Sequence, residues 1–202
     1  MSSRSKPFLS PKLTAMCGIL GMLILYTFIF AAILVSPWFS WTSNALSDLG
    51  NISTNSSPIF NGGLIVAGII IAIFPLGLRA KTKNNTLEHV GTVALLVAAI
   101  ALIGVGIFPE NYILGHVITA GTMFLLNTVG LFLFGIAFVQ SESMKMLGVA
   151  SIILAVASAV IWVPIWGQGI AIPEMIASVA VYILIIILSG RLLSGKEVVP
   201  KK

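Results

Sequence analysis

The chain has 202 residues, of which 58% are hydrophobic and only 8% are charged, with a formal net charge of +5 and a mean hydropathy of +1.09. Soluble domains carry roughly a quarter charged residues, so this chain lacks the polar surface that a fold in water requires. The composition excludes a soluble globular enzyme, a disordered protein and a coiled coil. It predicts an integral membrane protein built almost wholly from spanning segments.

Six apolar runs are long enough for helices that cross a bilayer, each of which needs roughly 20 apolar residues. The first run, 13–35, follows a basic N-terminus as in a signal peptide. Signal-peptide cores run to only about 7–15 residues, so we expect this run to be kept as a helix. The predicted fold class is an all-α, six-helix transmembrane bundle that forms a single domain over 1–202. Its helices are predicted at about 13–36, 58–78, 89–108, 113–139, 146–164 and 173–193.

The basic residues all fall on one side of this topology. With the N-terminus inside, the inner segments hold all 11 Lys and Arg, and the outer loops hold none. The positive-inside rule then predicts that both termini are cytoplasmic, in a multi-pass protein of the cell membrane. Inner basic residues contact anionic headgroups, so the predicted partners are membrane lipids and no nucleic acid is expected. The oligomeric state is left open.

Few cofactors fit this sequence. Its single cysteine, Cys17, excludes an intrachain disulfide and a zinc-thiolate site. The two histidines, His89 and His116, are predicted at opposite membrane faces, about 30 Å apart along helix 3, so no haem held by both is expected. The chain has no P-loop and no glycine-rich dinucleotide fingerprint, so no nucleotide is expected. A divalent metal is the cofactor that stays open.

The first outer loop, 37–57, concentrates hydrogen-bonding side chains. Asn44, Ser47 and Asp48 fall within five residues, and on a helical turn they share one face. One interpretation is a capped re-entrant turn. The other is a polar ligand pocket just below the outer headgroups.

His116 is predicted about one turn into helix 4, below the outer headgroups, where an ionisable group is costly and indicates a functional site. Its natural acidic partners are Asp48, Glu110 and Glu174, one from each outer loop. His116, Asp48 and Glu110 could hold a divalent metal. His116 and Asp48 could instead transfer protons, with Ser47 as the nucleophile of a triad. The third alternative is a structural hydrogen-bond knot that ties the helical hairpins together.

All four tryptophans are predicted at the outer ends of helices 1 and 5. They form either an aromatic belt at headgroup level or a stacking wall for a lipid, in which Trp41 and Trp166 would contact the ligand. Asn127, in the middle of helix 4, is expected to face the bundle interior, where it could bond another helix.

Three motifs follow one another in a characteristic order. Asn-x-x-Ser-Asp-Leu-Gly (44–50) follows helix 1, Phe-Asn-Gly-Gly (60–63) opens helix 2, and Gly-x-Gly-Ile-Phe-Pro-Glu (104–110) precedes His116. Over roughly residues 13–190 the chain resembles the prokaryotic, mostly archaeal, six-helix membrane family known as domain of unknown function 998. The resemblance implies that fold and a site at the polar positions that Asp48 and His116 match. It implies no established activity.

A fainter similarity, confined to the first outer loop and the topology, reaches the eukaryotic Frag1/DRAM/Sfk1 group. Some members of that group are implicated in lipid-anchor remodelling or membrane lipid organisation. No residue role is carried over from this similarity.

The sequence as a whole favours a protein that binds or processes a lipid or other amphiphile at the outer leaflet. If it is an enzyme, we expect hydrolysis or transfer on a lipid headgroup, with His116 as base or metal ligand and Asp48 as its orienting partner. The alternative is a structural subunit or a small-solute transporter. The predicted pocket consists of Asn44, Ser47, Asp48, Glu110 and His116.

Overall fold

A computed structural model describes residues 9–82, 85–163 and 168–199. Within these residues the chain forms six α-helices and one short 3-10 helix, and it contains no strand. The α-helices are α1 (Pro11–Leu34), α2 (Ser57–Thr82), α3 (Thr86–Ile107), α4 (Ile113–Val139), α5 (Lys145–Val160) and α6 (Ala171–Leu193), and the 3-10 helix, Leu46–Gly50, lies between α1 and α2.

Five of these helices are long and apolar enough to cross a membrane, which confirms the predicted all-helical, multi-pass fold. The exception is α5, which has 16 residues and is therefore about 24 Å long, whereas a bilayer core is about 30 Å thick. The predicted span 146–164 was wrong at its C-terminal end, because the helix stops at Val160. Pro164 follows in the sequence, and a residue before proline disfavours helical geometry.

The helix ends differ from the predicted ones where polar residues continue a helix beyond its apolar run. α1 begins at Pro11, because Ser10 caps it by accepting a hydrogen bond from the Leu13 amide at 3.1 Å and proline suits the first helical position. α2 continues to Thr82 and places Arg79 in its last turn, where a cation meets the negative end of the helix dipole.

Neighbouring helices run antiparallel and touch in chain order, and α6 closes the bundle against α1. The α4–α5 contact is close enough for backbone to meet backbone at Gly148. A Cβ built there would lie 2.5 Å from the Val139 amide nitrogen and 2.8 Å from the Gly135 carbonyl oxygen. Only glycine permits this approach.

The two ends of the bundle carry opposite charge. The loops after α1, α3 and α5 lie at one end, which we call the acidic end because it holds Asp48, Glu110 and Glu174. The other end, the basic end, holds every Lys and Arg that the structure describes. Those residues are Lys12, Arg79, Lys81, Lys145, Arg191 and Lys196.

Candidate functional site

The loop between α1 and α2, residues 35–56, covers the acidic end, and we call it the cap. It bonds the α5–α6 connection through its backbone: the Thr42 carbonyl accepts from the Gly169 amide at 3.0 Å, and the Asn44 carbonyl accepts from the Ala171 amide at 2.9 Å. It also bonds the α3–α4 loop, since the Ile52 amide donates to Asn111 Oδ1 at 2.9 Å. The cap therefore holds all three helical hairpins together at this end.

Asp48 makes its hydrogen bonds to residues of the cap itself. Its Oδ2 accepts from Asn44 Nδ2 at 2.7 Å and from the Ala45 amide at 3.1 Å. Asn44 Oδ1 in turn accepts from the Ser40 amide at 3.0 Å. Asn44 and Asp48 therefore lie close together, and Asp48 satisfies the amide of Ala45, the N-cap residue of the 3-10 helix.

Glu110 joins the cap from the α3–α4 loop. Asn51 Nδ2 donates to its Oε1 at 2.7 Å. Burial raises the pKa of Glu110 above its ordinary value, and the neighbouring Asp48 carboxylate raises it further, while the Asn51 hydrogen bond and the charge of His116 oppose the rise. Glu110 is thus close enough to Asp48 and to His116 for both charges to affect its pKa.

His116 binds the backbone rather than an acid. Its Nδ1 lies 3.0 Å from the carbonyl oxygen of Phe108, and because a carbonyl only accepts, Nδ1 carries the proton in this bond. Among the described residues no hydrogen bond joins His116 to Asp48, Glu110 or Ser47. His116 therefore braces the α3–α4 loop.

A cavity of about 60 Å³ lies beneath the cap, between α1, α2, α3, α4 and α6. Most of its wall is apolar, but five polar side chains also line it. These are Ser47, Asn127, Glu174, Ser178 and Tyr182. Such a space holds about four water molecules.

Glu174 is the ionisable group of this cavity. It lies in the first turn of α6 and is only 7% exposed. Its Oε2 accepts from the Leu46 amide of the cap at 2.5 Å, and the carboxyl makes no other hydrogen bond with a described residue. One oxygen therefore holds the cap, and the other is open to a ligand or water in the cavity.

A polar stripe runs down α6 from Glu174. Ser178 and Tyr182 follow at intervals of four residues, so all three lie on one helix face. Ser178 Oγ is hydrogen-bonded to Tyr26 Oη at 3.1 Å, and the Tyr26 and Tyr182 rings meet edge to face with centroids 5.6 Å apart. Ser178, Tyr182 and Tyr26 are absent from the site predicted from sequence, although the four-residue spacing in an apolar helix was a usable signal.

A family model described as a protein of unknown function (DUF998) matches residues 19–191. The chain belongs to this family. The resemblance inferred from the three motifs is confirmed, and the family description names no activity. No curated protein and no solved structure matches the chain, and no match extends the similarity to the Frag1/DRAM/Sfk1 group.

A second, smaller cavity of about 10 Å³ continues the first toward the middle of this DUF998 bundle. Asn127 and Tyr182 line both cavities. Pro75 and Ile71 line the lower one, and because proline has no amide hydrogen, the Ile71 carbonyl loses its helical partner. Polar groups therefore extend from Glu174 to mid-membrane depth.

None of the three tryptophans that the structure describes, Trp38, Trp41 and Trp162, lines the cavity of this DUF998 chain. Trp41 packs edge to face on Phe39, with centroids 5.4 Å apart, and it does not line the cavity. Trp162 packs on Phe124 at 4.8 Å, and Phe124 is a cavity residue. Trp166, predicted as a ligand contact, lies outside the described residues.

The predicted metal ligands are not arranged as a metal site. In the part of the chain that the structure describes, no group of three or more His, Cys, Asp or Glu side chains could hold a metal ion. Asp48 and Glu110 instead accept hydrogen bonds from Asn44 and Asn51. The metal set His116, Asp48 and Glu110 thus receives no support from this geometry.

Proposed function

We propose that this membrane protein binds a single-chain amphiphile, whose polar group enters the cavity beneath the cap and lies beside Glu174 and Ser47. The observation that carries the proposal is a buried carboxyl group that lines the cavity, with one oxygen that has no hydrogen-bond partner among the described residues. An ionisable side chain at membrane depth is costly and indicates a functional site.

The chemistry of the cavity indicates the class of ligand. A carboxylate accepts hydrogen bonds, so the polar group should be a donor, and a protonated amine would also neutralise the buried charge. Walls such as Leu25, Phe60 and Leu102 suit the first carbons of a hydrocarbon chain. We therefore infer a long-chain amine, or an alcohol as a weaker ligand.

The proposal covers binding and contains no chemical step. The triad hypothesis needs Ser47, His116 and Asp48 to bond one another. In the described residues Asp48 bonds Asn44, and His116 bonds the Phe108 carbonyl. These contacts favour a ligand site over lipid hydrolysis.

Native mass spectrometry of the protein in phosphatidylcholine nanodiscs tests the proposal, with dodecylamine as ligand and dodecanoic acid as the anionic comparison. We expect a one-to-one adduct with dodecylamine and no adduct with dodecanoic acid. Glu174→Gln should weaken binding about tenfold or more, because the amide keeps an acceptor for the Leu46 amide but cannot pair with an ammonium group.

Glu110→Gln is the matched control. It makes the same chemical change in the cap, keeps an acceptor for Asn51, and does not alter the cavity wall. Its dodecylamine affinity should equal that of the wild type. Equal affinities for wild type and Glu174→Gln would contradict the proposal, as would the absence of any amine adduct.

Transport of a small amine is the second candidate, because the two cavities share Asn127 and Tyr182 and extend polar lining to mid-bundle. Below them the core is closed by Phe134, Phe138 and Leu188, each 0% exposed. Uptake of radiolabelled methylamine into proteoliposomes above the protein-free rate would support transport. Dodecylamine binding without uptake would support a binding protein.

A further inference from the structure

A groove of about 210 Å³ opens between α1 and α6 on the outer surface of the bundle. Leu23, Ile183 and Ile186 on its wall are 59%, 39% and 48% exposed, so the groove faces the lipid of a surrounding bilayer. Apart from two tyrosine hydroxyls, its lining is apolar. The lining residues are Ile19, Met22, Leu23, Tyr26, Val179, Tyr182, Ile183 and Ile186.

The groove lies beside the central cavity, with one thin partition between them. Tyr182 lines the groove and both cavities. Tyr26 lines the groove, and its hydroxyl bonds Ser178 of the central cavity at 3.1 Å. Two tyrosine rings and one hydrogen bond therefore separate lipid-facing space from the space beside Glu174.

The central cavity cannot enclose a whole amphiphile. Its 60 Å³ suffices for a polar group and the first carbons, since a water molecule needs about 10–15 Å³ of such space. The remaining chain needs apolar space next to the cavity. The α1–α6 groove offers this space on the other side of the Tyr26–Ser178–Tyr182 partition.

We propose that the α1–α6 groove holds the hydrocarbon chain of the amphiphile whose polar group lies beside Glu174. The Tyr26–Ser178–Tyr182 partition is the passage through which the polar group enters. This inference rests on the proposed function and specifies its route, which runs sideways from the bilayer and not through the cap.

The second lipid-facing groove, between α4 and α5, is a natural comparison. It is larger, about 270 Å³, and almost wholly apolar, but it shares no lining residue with the central cavity. Groove size and apolar lining alone would favour the α4–α5 groove. The wall that the α1–α6 groove shares with the central cavity, through Tyr182 and the Tyr26–Ser178 bond, selects that groove.

Photo-crosslinking tests the assignment with dodecylamine that carries a diazirine near the end of its chain, applied to the full-length protein in phosphatidylcholine nanodiscs. We expect saturable labelling on the groove faces of α1 and α6, competed by unlabelled dodecylamine. Val179→Phe fills the groove and should reduce this labelling about fivefold or more. Val156→Phe is the matched control, because it fills the α4–α5 groove in the same way, and it should leave the labelling unchanged.

Tyr26→Phe tests the partition. It keeps the ring and removes the hydrogen bond to Ser178. We expect labelling to saturate sooner than in the wild type, with the same labelled residues. An unchanged labelling rate in Tyr26→Phe would contradict entry of the polar group through the Tyr26–Ser178–Tyr182 partition.

The outcomes separate the two proposals. Saturable labelling of α4 and α5, or of the cap, would overturn the groove assignment and leave amine binding intact. Undiminished labelling of α1 and α6 in Val179→Phe would also overturn the groove assignment without contradicting amine binding. Absence of saturable labelling together with absence of a dodecylamine adduct would overturn the proposed function itself. The wild-type labelling pattern does not depend on whether any variant folds.

Discussion

Glu174 connects the cap with the cavity because its two oxygens serve different purposes. One oxygen holds the Leu46 amide, and the other is open to the cavity. A buried amide without an acceptor lowers the folding stability by about 1–3 kcal/mol. Glu174 therefore stabilises the fold in addition to lining the cavity. This is why the glutamine variant, which keeps the acceptor, is the informative substitution.

Glu110 should make stability depend on pH. Its pKa in the folded protein is raised above the ordinary 4.5, so the folded state binds the proton more tightly than the unfolded state does. The stabilisation is fully present below the unfolded pKa and is lost as pH rises through the raised pKa.

Unfolding midpoints measured in detergent across the acidic range should therefore fall as pH rises from about 4.5. Glu110→Gln should flatten the part of this slope that Glu110 contributes, since the amide does not titrate. An unchanged slope in the variant would assign the pH dependence to another group.

Glu88 is a buried acid of a different kind. It lies in the first turn of α3 and is 0% exposed, and neither carboxyl oxygen has a hydrogen-bond partner among the described residues. Glu88→Leu should therefore raise the unfolding free energy by about 1–3 kcal/mol, measured by denaturant titration in detergent. Glu142→Leu, at a 94% exposed side chain, should give no such gain. A loss of stability in Glu88→Leu would show that the carboxyl has a stabilising role.

The cap is a structural element in its own right, because its 3-10 helix is capped by Asp48 and held by Glu174. Asp48→Ala removes the acceptor for Asn44 and the Ala45 amide. We expect it to cost about 1–2 kcal/mol and to speed amide exchange in residues 44–51.

His116→Ala should melt earlier too, but its faster exchange should appear near 108–112, since its bond is to the Phe108 carbonyl. Both variants should retain dodecylamine binding, because neither residue lines the cavity. Loss of the dodecylamine adduct in either variant would instead support the polar ligand pocket, containing Asp48 and His116, that the sequence predicts.

The α4–α5 pair depends on Gly148. An alanine there would place its Cβ against the Val139 and Gly135 backbone, so Gly148→Ala should cost about 1–3 kcal/mol in thermal or denaturant unfolding. Gly121→Ala on α4 is the control, because a Cβ there meets nothing within 4 Å. It should gain about 0.5–1 kcal/mol from helix propensity. Equal effects at the two positions would contradict the close helix contact.

At the scale of the whole molecule, the charge asymmetry predicts that the basic end faces the cytoplasm. Cysteine labelling in intact cells tests this, and the background is low because the single native cysteine, Cys17, is buried. A membrane-impermeant maleimide should label Ser53→Cys at the acidic end and should not label Glu142→Cys until the cells are lysed. The reverse pattern would invert the orientation.

The sequence alone was enough for the membrane class, the number and order of the helices, the family and the separation of charge. Each of these properties depends only on local sequence. The length of an apolar run and the basic residues beside it are the same whatever the run packs against. Helix ends were less accurate, because Ser10 and Arg79 extend helices past the apolar residues.

The tertiary structure decided which polar groups satisfy one another. The Leu46 amide and Glu174 are 128 residues apart in the chain, and no local pattern states that pairing. In the folded chain Asp48 binds the Ala45 amide and His116 binds the Phe108 carbonyl, so the two do not form the expected pair. Glu174 is the acid that lines the cavity. The reason is physical: a buried polar group must find its partner in space, and only the packed bundle determines which groups come within reach.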